Sequence, residues 1–182
     1  MKKNDIIEKV IVSESQIETT LNKIATEINS DYKGEEVVFV AILNGAFMFA
    51  SDLMKKIEVD CYIDFMQCST YGNKTVSSGN FVVKKDITID VNGKHVIIVE
   101  DILDSGYTMK NLLKYLKLKN PKTIKIATFI DKPARRVEDV SADYTGFVMD
   151  DDSFIVGYGL DYSQKYRNLP FIGVLKKEVY SE

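Results

Sequence analysis

The chain has 182 residues, which suits one domain with a substantial core, and its hydrophobic fraction of 45% and charged fraction of 28% are typical of a soluble globular protein. The net charge of −3 argues against a general nucleic-acid binder. Cys61 and Cys68 lack a metal-ligand spacing and favour a reduced, intracellular protein. No signal peptide or transmembrane span is recognisable, so we expect a cytoplasmic protein without a membrane partner.

The first third of the chain predicts two helices with a strand between them. Ser15 and Glu18 predict a capping box at the start of the first helix. Its apolar residues continue with helical spacing at Ile17, Leu21, Ile24 and Ile28. Residues 37–43 form an apolar run that predicts a buried strand, and residues 47–57 predict a shorter helix.

The middle of the chain predicts strands and a polar loop. Residues 59–65 alternate apolar and more polar side chains, as in a half-buried strand. Residues 69–80 are polar and include glycines, which predicts a mobile loop. Residues 81–83 and 87–91 predict the two arms of a ribbon around the charged residues that separate them.

The most informative segment is a buried strand that ends in carboxylates. The apolar run 96–99 leads into Glu100 and Asp101, and Asp104 follows just before a turn at Gly106. The next apolar residues have helical spacing, at Met109, Leu112, Leu113 and Leu116. The acidic segment is therefore predicted at the carboxyl end of a strand and at the amino end of a helix, where ligands bind in open α/β sheets.

The chemistry of this segment predicts a site for a phosphorylated sugar. Unpaired N–H groups at the start of a helix favour a phosphate. Three carboxylates would repel a bare phosphate, whereas sugar hydroxyls, a metal ion or a cationic transition state would suit them. Residues 123–130 predict another strand, and we expect residues 144–149 and 154–158 to join the amino-terminal segment in a smaller subregion.

Residues 100–108 resemble the signature of the type I phosphoribosyltransferases, which bind phosphoribosyl pyrophosphate (PRPP). The version Glu-Asp-Ile-x-Asp-Ser-Gly-x-Thr is similar to that of the 6-oxopurine branch, the hypoxanthine-guanine phosphoribosyltransferases. The likeness recurs in four other segments, at residues 43–45, 70–72, 131–133 and 154–162. It implies an α/β fold with a mainly parallel, twisted sheet flanked by helices on both faces. It also implies a single domain, with a core at about residues 30–150 and a small hood from about residues 1–20 and 150–182.

The resemblance assigns the sugar-phosphate site to the signature segment. Glu100 and Asp101 would contact the ribose hydroxyls or their Mg²⁺, and Asp104 would exchange a proton with purine N7 as general base and acid. The 5′-phosphate would be held by Ser105, Gly106, Tyr107 and Thr108, with Tyr107 acting only through its backbone.

The purine site is assigned to later residues. Lys132 would donate to the O6 of hypoxanthine or guanine and would oppose the 6-amino group of adenine, by about 1–3 kcal/mol. Phe154 would stack on the purine, and Ile155 would offer backbone groups to its edge. Asp161, in the same stretch, would also belong to the purine site and matches the second magnesium site of the family.

The pyrophosphate site is assigned to Leu43, Asn44, Gly45 and Arg167. Most relatives carry lysine where this chain has Asn44, which lacks the charge, so we expect weaker pyrophosphate binding or altered coupling between subunits. Thr70 and Tyr71 open the segment 69–79 that matches the mobile catalytic loop, which would close over the reaction and exclude water.

The resemblance implies an enzyme of purine salvage that uses Mg²⁺ and converts PRPP with hypoxanthine or guanine to IMP or GMP and pyrophosphate. It also implies a homodimer or homotetramer with no nucleic-acid partner. Two alternatives stay open. One is a xanthine-preferring enzyme of the same fold. The other is a PRPP-binding regulator of nucleic acid, which the acidic balance and Asp104 disfavour.

Overall fold

The computed structural model describes residues 6–71 and 80–181. Its strands are β1 Ile7–Val12, β2 Val37–Ile42, β3 Cys61–Tyr71, β4 Asn80–Lys85, β5 His95–Leu103, β6 Thr123–Asp131, β7 Tyr144–Val148, β8 Ile155–Val156 and β9 Ile172–Leu175. Its helices are α1 Glu14–Asp31, α2 Phe47–Met54, α3 Tyr107–Lys117 and α4 Lys177–Tyr180, and a 3-10 turn spans Pro133–Arg135.

Two sheets organise the chain. The core sheet has six strands in the order β4-β3-β2-β5-β6-β7, all parallel except the antiparallel edge strand β4. The second sheet, which we call the hood, has the antiparallel order β1-β9-β8 and joins both ends of the chain. The predicted fold class, a mainly parallel sheet flanked by helices, is confirmed.

Alternation along the central strands builds a hydrophobic layer on each face of the core sheet. In β2, Phe39 and Ala41 pack on the side of α1 and α2, whereas Val38 and Val40 pack on the side of α3. Every residue of β2 is buried, as expected for a parallel strand covered on both faces. The apolar residues predicted to line one face of α1, which are Ile17, Leu21, Ile24 and Ile28, are also buried. Among the described residues, no helix combines the length and apolar character needed to cross a membrane.

Helix α1 begins earlier than the sequence motif suggested. The predicted capping box at Ser15 is wrong, because Ser13 is the N-cap. The Gln16 N–H donates to Ser13 Oγ, and the Gln16 side chain accepts from the Ser13 N–H at 2.9 Å. The same reciprocal motif is therefore formed two residues earlier, with glutamine in place of glutamate.

The predicted ribbon between residues 81–83 and 87–91 is also wrong. Strand β4 instead pairs with β3, and residues 87–91 are not a strand. The reason is Asp64, a buried carboxylate that accepts the backbone N–H groups of Thr88 at 2.5 Å and Ile89 at 3.0 Å. These donors are satisfied by a side chain, so they are not available to a strand ladder.

Asp64 should make the fold acid-sensitive. Burial raises its pKa, but the N–H groups of Ile89, Thr88 and Phe65 outweigh burial and lower the pKa below its usual range. A lowered pKa stabilises the fold above about pH 4, and that stability is lost as the pH falls towards the folded-state value. We expect Asp64→Asn to lower the free energy of unfolding by about 2 kcal/mol at neutral pH.

Urea unfolding of the wild type and Asp64→Asn at neutral and acidic pH measures this contribution. The exposed Asp152→Asn is the control for loss of a carboxylate. An equal midpoint for Asp64→Asn and the wild type at neutral pH would contradict the assignment.

Strand β7 lies in the core sheet, where it pairs in parallel with β6. The expectation that residues 144–149 join the smaller subregion is therefore wrong, whereas β8 does lie in the hood. Gly146 lets β7 approach its neighbours, since a Cβ there would lie 2.4 Å from the Phe129 carbonyl oxygen and 3.1 Å from Thr20. The Tyr144 hydroxyl also donates to Asp31 at the end of α1, at 2.7 Å.

Candidate active site

The carboxyl ends of β2 and β5 and the start of α3 surround a pocket of about 220 Å³. The loop after β2 contributes Leu43 and Gly45 to its wall. The segment after β5 contributes Glu100, Asp101, Asp104, Ser105, Gly106 and Thr108. Eight predicted site residues therefore share one pocket, together with apolar neighbours outside the quoted motifs, such as Ile42 and Met109.

The turn that begins α3 is made by glycine. Gly106 is the N-cap, with a left-handed φ of 86° that side chains rarely adopt. A Cβ there would also lie 3.0 Å from Arg136 Cδ. The Tyr107 ring that follows is 42% exposed, in keeping with a contribution from its backbone alone.

Glu100 and Asp101 carry charges that oppose each other in the pocket. Burial, followed by the charge of Asp101, raises the pKa of Glu100 well above its usual range. Burial also raises the pKa of Asp101, although a hydrogen bond with the Glu100 side chain, backbone N–H groups and the charge of Arg167 act against the rise. A cation or several hydroxyl donors beside this pair would offset the repulsion and stabilise both carboxylates.

This acidic pair fits a magnesium ion that is shared with a ligand. Mg²⁺ keeps most of its water and takes only one or two protein carboxylates together with substrate oxygens. Within residues 6–71 and 80–181, no group of three or more His, Cys, Asp or Glu side chains could hold a metal ion. Asp161, predicted as a further ligand, is paired with Arg167 at 2.8 Å, and its role toward a metal ion stays a prediction.

The loop after β2 packs closely against Asp101 on one side and against the loop at Gly159 on the other. A Cβ on Gly45 would lie 1.7 Å from Asp101 Oδ2, and a Cβ on Gly159 would lie 2.1 Å from the Gly45 carbonyl oxygen. The peptide bond between Leu43 and Asn44 is cis, and Asn44 is exposed. Only glycine fits at these two contacts, so the loop after β2 lies between Asp101 and the loop at Gly159.

Arg167 holds the Gly159 loop beside the pocket. Its Nη1 donates to the Gly159 carbonyl oxygen at 2.7 Å, and its Nη2 contacts Asp161. Asp161 also accepts the Gln164 N–H at 2.8 Å. Arg167 and Asp161 are thus placed close to the loop at Gly45, which was predicted to bind pyrophosphate, and each holds the other in position.

The predicted purine residues lie where the core meets the hood. The Lys132 side chain is buried, and its ammonium group donates to the Ser153 carbonyl oxygen at 2.9 Å. Phe154 is 38% exposed, whereas Ile155 is buried in β8. This hydrogen bond from Lys132 links the end of β6 to Ser153, the residue before Phe154. The residues predicted to contact the base are therefore close together.

Two arginines that sequence reasoning missed contact the Asp104 segment. Arg135 Nε lies 2.7 Å from Asp104 Oδ1 and also pairs with Asp152. Arg136 donates to the carbonyl oxygens of Leu103, at 2.9 Å, and Asp104, at 2.6 Å. It also bonds to the Asp131 carboxylate and the Val140 carbonyl.

Arg136 therefore fixes the backbone that carries Asp104. Its side chain is largely buried, so this multiply bonded guanidinium makes the turn rigid. Only one signal in the sequence could have indicated this role of Arg136. It belongs to an Arg-Arg pair shortly after Lys132, at the end of the strand beside β5.

A family model described as the phosphoribosyl transferase domain matches residues 11–163. The chain belongs to this phosphoribosyltransferase family. The resemblance seen in residues 100–108 is therefore confirmed at the level of the whole domain.

Relatives place this phosphoribosyltransferase near the 6-oxopurine branch. The hypoxanthine-guanine phosphoribosyltransferase of Streptococcus pneumoniae is 46% identical over 181 residues, covering 100% of this chain and 99% of the relative. The crystal structure of a hypoxanthine phosphoribosyltransferase from Staphylococcus aureus has a TM-score of 0.95 and 41% identity, covering 98% and 97% of the two chains. The bifunctional protein TilS/HprT of Listeria monocytogenes is 44% identical, but the chain spans only 27% of its length.

Thr70 and Tyr71 end β3, and their side chains lie outside what the structure describes, as do residues 72–79. The predicted start of the mobile loop at residue 69 is wrong, because residues 69–71 pair with β4 in the core sheet. The remainder of the mobile catalytic loop stays a prediction.

Cys68 lines the pocket of this phosphoribosyltransferase and should be unreactive. Burial, and then the charge of Glu100, raises the pKa of its thiol to about 12, so little thiolate exists at neutral pH. We expect iodoacetamide to alkylate Cys61 before Cys68 in the folded protein, and both at similar rates in urea. Mass spectrometry of the peptides measures this order, and faster labelling of Cys68 in the folded protein would contradict it.

Proposed function

We propose that this chain transfers the 5-phosphoribosyl group from PRPP to hypoxanthine or guanine, giving IMP or GMP and pyrophosphate in purine salvage. One observation carries the proposal: an acidic pair, a third carboxylate and the turn that begins α3 line one pocket beside the loop at Gly45. The similarity to hypoxanthine-guanine phosphoribosyltransferases over nearly the full chain supports the same reaction.

The signature segment would bind the sugar and its 5′-phosphate. The 5′-phosphate would accept N–H groups from Ser105 to Thr108 at the amino end of α3, where the helix dipole favours an anion. The ribose hydroxyls would donate to Glu100 and Asp101, whose burial and mutual repulsion favour such partners. The same two carboxylates would remain close to the sugar carbon as it loses pyrophosphate and becomes cation-like, and they would stabilise its positive charge.

Magnesium would bind beside Glu100 and Asp101 together with oxygens of PRPP. When bound, the ion supplies positive charge that offsets the charge of the departing pyrophosphate. Asp161 would join this site only if Arg167 released it, since the two side chains are paired. Arg167 would then be free to bind the pyrophosphate through its guanidinium fork.

The base would be recognised by Lys132 and Phe154 and activated by Asp104. An ammonium group has three donors and no acceptor, so a second donor of Lys132 can bind O6 while one binds Ser153. Asp104 would accept the N7 proton as the base becomes a nucleophile and would return it in the reverse reaction. Arg136 would keep the Asp104 backbone in place through this exchange.

Turnover with four bases tests the proposal. We expect PRPP- and Mg²⁺-dependent reaction with hypoxanthine and guanine, and roughly tenfold to hundredfold lower efficiency with adenine, which opposes Lys132 with a donor. A higher efficiency with xanthine than with hypoxanthine or guanine would identify a xanthine-preferring enzyme and contradict the proposed substrates. If the protein bound PRPP tightly but turned over none of the four bases, the alternative of a PRPP-binding regulator of nucleic acid would be favoured.

Lys132→Ala should reduce the discrimination between hypoxanthine and adenine, because the donor that adenine opposes is gone. We expect the ratio of the two kcat/KM values to fall about tenfold or more. Lys114→Ala, on the exposed side of α3, is the control for loss of a lysine. A ratio unchanged in Lys132→Ala would show that another group reads the purine.

We also propose a homodimer or homotetramer, which sedimentation velocity would resolve directly.

A further inference from the structure

Three aromatic rings meet at the edge of the hood. The Phe154 and Tyr180 rings stack with their centroids 5.1 Å apart and their planes 27° apart. Tyr162 meets Phe154 edge-on, at 5.7 Å and 90°. Tyr180 and Tyr162 also contact each other, with centroids 6.5 Å apart. The ring assigned to the purine is therefore held by two other rings, one of which comes from the carboxyl end of the chain.

The hood brings Tyr180 to this position. The Leu175 N–H donates to the Phe154 carbonyl oxygen at 2.8 Å, and the Lys176 N–H donates to the Ile6 carbonyl oxygen at 3.0 Å. These bonds fix the chain just before α4. Val179 and Tyr180 of α4 then pack on the small buried cluster that contains Ile6. The stack is thus part of a packed unit that spans both ends of the chain.

The stack limits how the Phe154 ring can move. Phe154 remains 38% exposed, so part of the ring is open, while Tyr180 covers one of its faces. A partly exposed ring that is free to rotate loses that freedom when a ligand binds, which weakens binding. A ring already stacked on a neighbour has lost this freedom before the ligand arrives.

We propose that Tyr180 is a positioning residue for the purine base. It stacks on the covered face of Phe154 and holds the open face ready for the base. This inference rests on the proposed function, since it assigns to the same site a residue that the signature motifs do not contain. The contribution of one aromatic pair corresponds to about three- to tenfold in binding.

Calorimetric titration separates this role from sugar and phosphate binding. GMP is the probe that carries a base, and ribose 5-phosphate is the probe that lacks one. The proteins are the wild type, Tyr180→Ala, Tyr180→Phe and Val179→Ala. Tyr180→Phe keeps the ring, and Val179→Ala weakens the packing of the same helix without removing a ring.

We expect Tyr180→Ala to raise the Kd for GMP about three- to tenfold and to leave ribose 5-phosphate unchanged. Tyr180→Phe should bind GMP with the Kd of the wild type. Val179→Ala should raise the Kd for GMP less than Tyr180→Ala does. The proposal would be overturned if Tyr180→Ala left the Kd for GMP unchanged, or if Val179→Ala raised that Kd as much as Tyr180→Ala. Tighter GMP binding in Tyr180→Ala would show that the ring obstructs the base.

Steady-state kinetics of the same proteins separate this inference from the proposed function. In Tyr180→Ala, the KM for hypoxanthine should rise while kcat and the KM for PRPP stay within about twofold of the wild type. A wild type that binds GMP without turnover would refute the enzyme and leave the binding comparison valid. A wild type that binds no GMP would overturn both proposals.

Discussion

Replacing Asp104 by asparagine should lower PRPP-dependent turnover by about 10²–10⁴-fold, because the amide cannot take the proton from purine N7. The Asp104 backbone should stay in place, since Arg136 bonds to its carbonyl oxygen and not to its side chain. We therefore expect kcat to fall much more than the affinity for GMP. Steady-state kinetics with hypoxanthine, together with GMP titration, measure the two effects.

Asp152→Asn is the matched control for this experiment. Asp152 is an exposed carboxylate that pairs with Arg135, the same side chain that contacts Asp104. Its replacement disturbs Arg135 but removes no group from the pocket, so turnover should stay within about twofold of the wild type. Equal losses in the two variants would show that Arg135, not the proton exchange at Asp104, governs turnover.

Gly45→Ala should have the second large effect. A Cβ at this position would lie 1.7 Å from Asp101 Oδ2, so either the loop or the carboxylate must move. Overpacking of this kind costs about 1–3 kcal/mol, and the displacement also removes the close approach on which PRPP binding would depend. We expect kcat/KM for PRPP to fall by about a hundredfold. Kinetics at varied PRPP concentrations give this value.

Gly34→Ala is the control for the Gly45 experiment. A Cβ on Gly34 meets nothing within 4 Å, but its φ of 79° disfavours any side chain. This variant should therefore lose about 1 kcal/mol of stability with no change in kcat/KM. If Gly45→Ala behaved in the same way, the contact with Asp101 would have no part in catalysis.

The sequence predicted the parts of the fold that depend on local patterns. The stripe on α1, the buried run of β2 and the carboxylates at the end of β5 each follow from spacing within a few residues. Parallel pairing then brings the ends of β2 and β5 to the same edge of the sheet. The pocket that contains Gly45 and Asp101 follows from these patterns and the family resemblance.

The features that the sequence did not predict depend on contacts between distant segments. Asp64 binds backbone groups 24 and 25 positions away, and this contact keeps residues 87–91 out of a strand. Arg136 bonds to carbonyl groups 32 and 33 positions before it, and no periodic pattern marks such a contact. Strand β7 was assigned to the wrong sheet because a short apolar run does not specify its neighbour.

Transfer of phosphoribose to the purine can be followed directly by ³¹P NMR of the wild type with PRPP, hypoxanthine and Mg²⁺. We expect loss of the PRPP signals with equal formation of the IMP phosphate and of pyrophosphate, and no such change when hypoxanthine is omitted. PRPP that persists in the complete mixture, or that yields pyrophosphate without IMP, would contradict the transfer of phosphoribose to the purine.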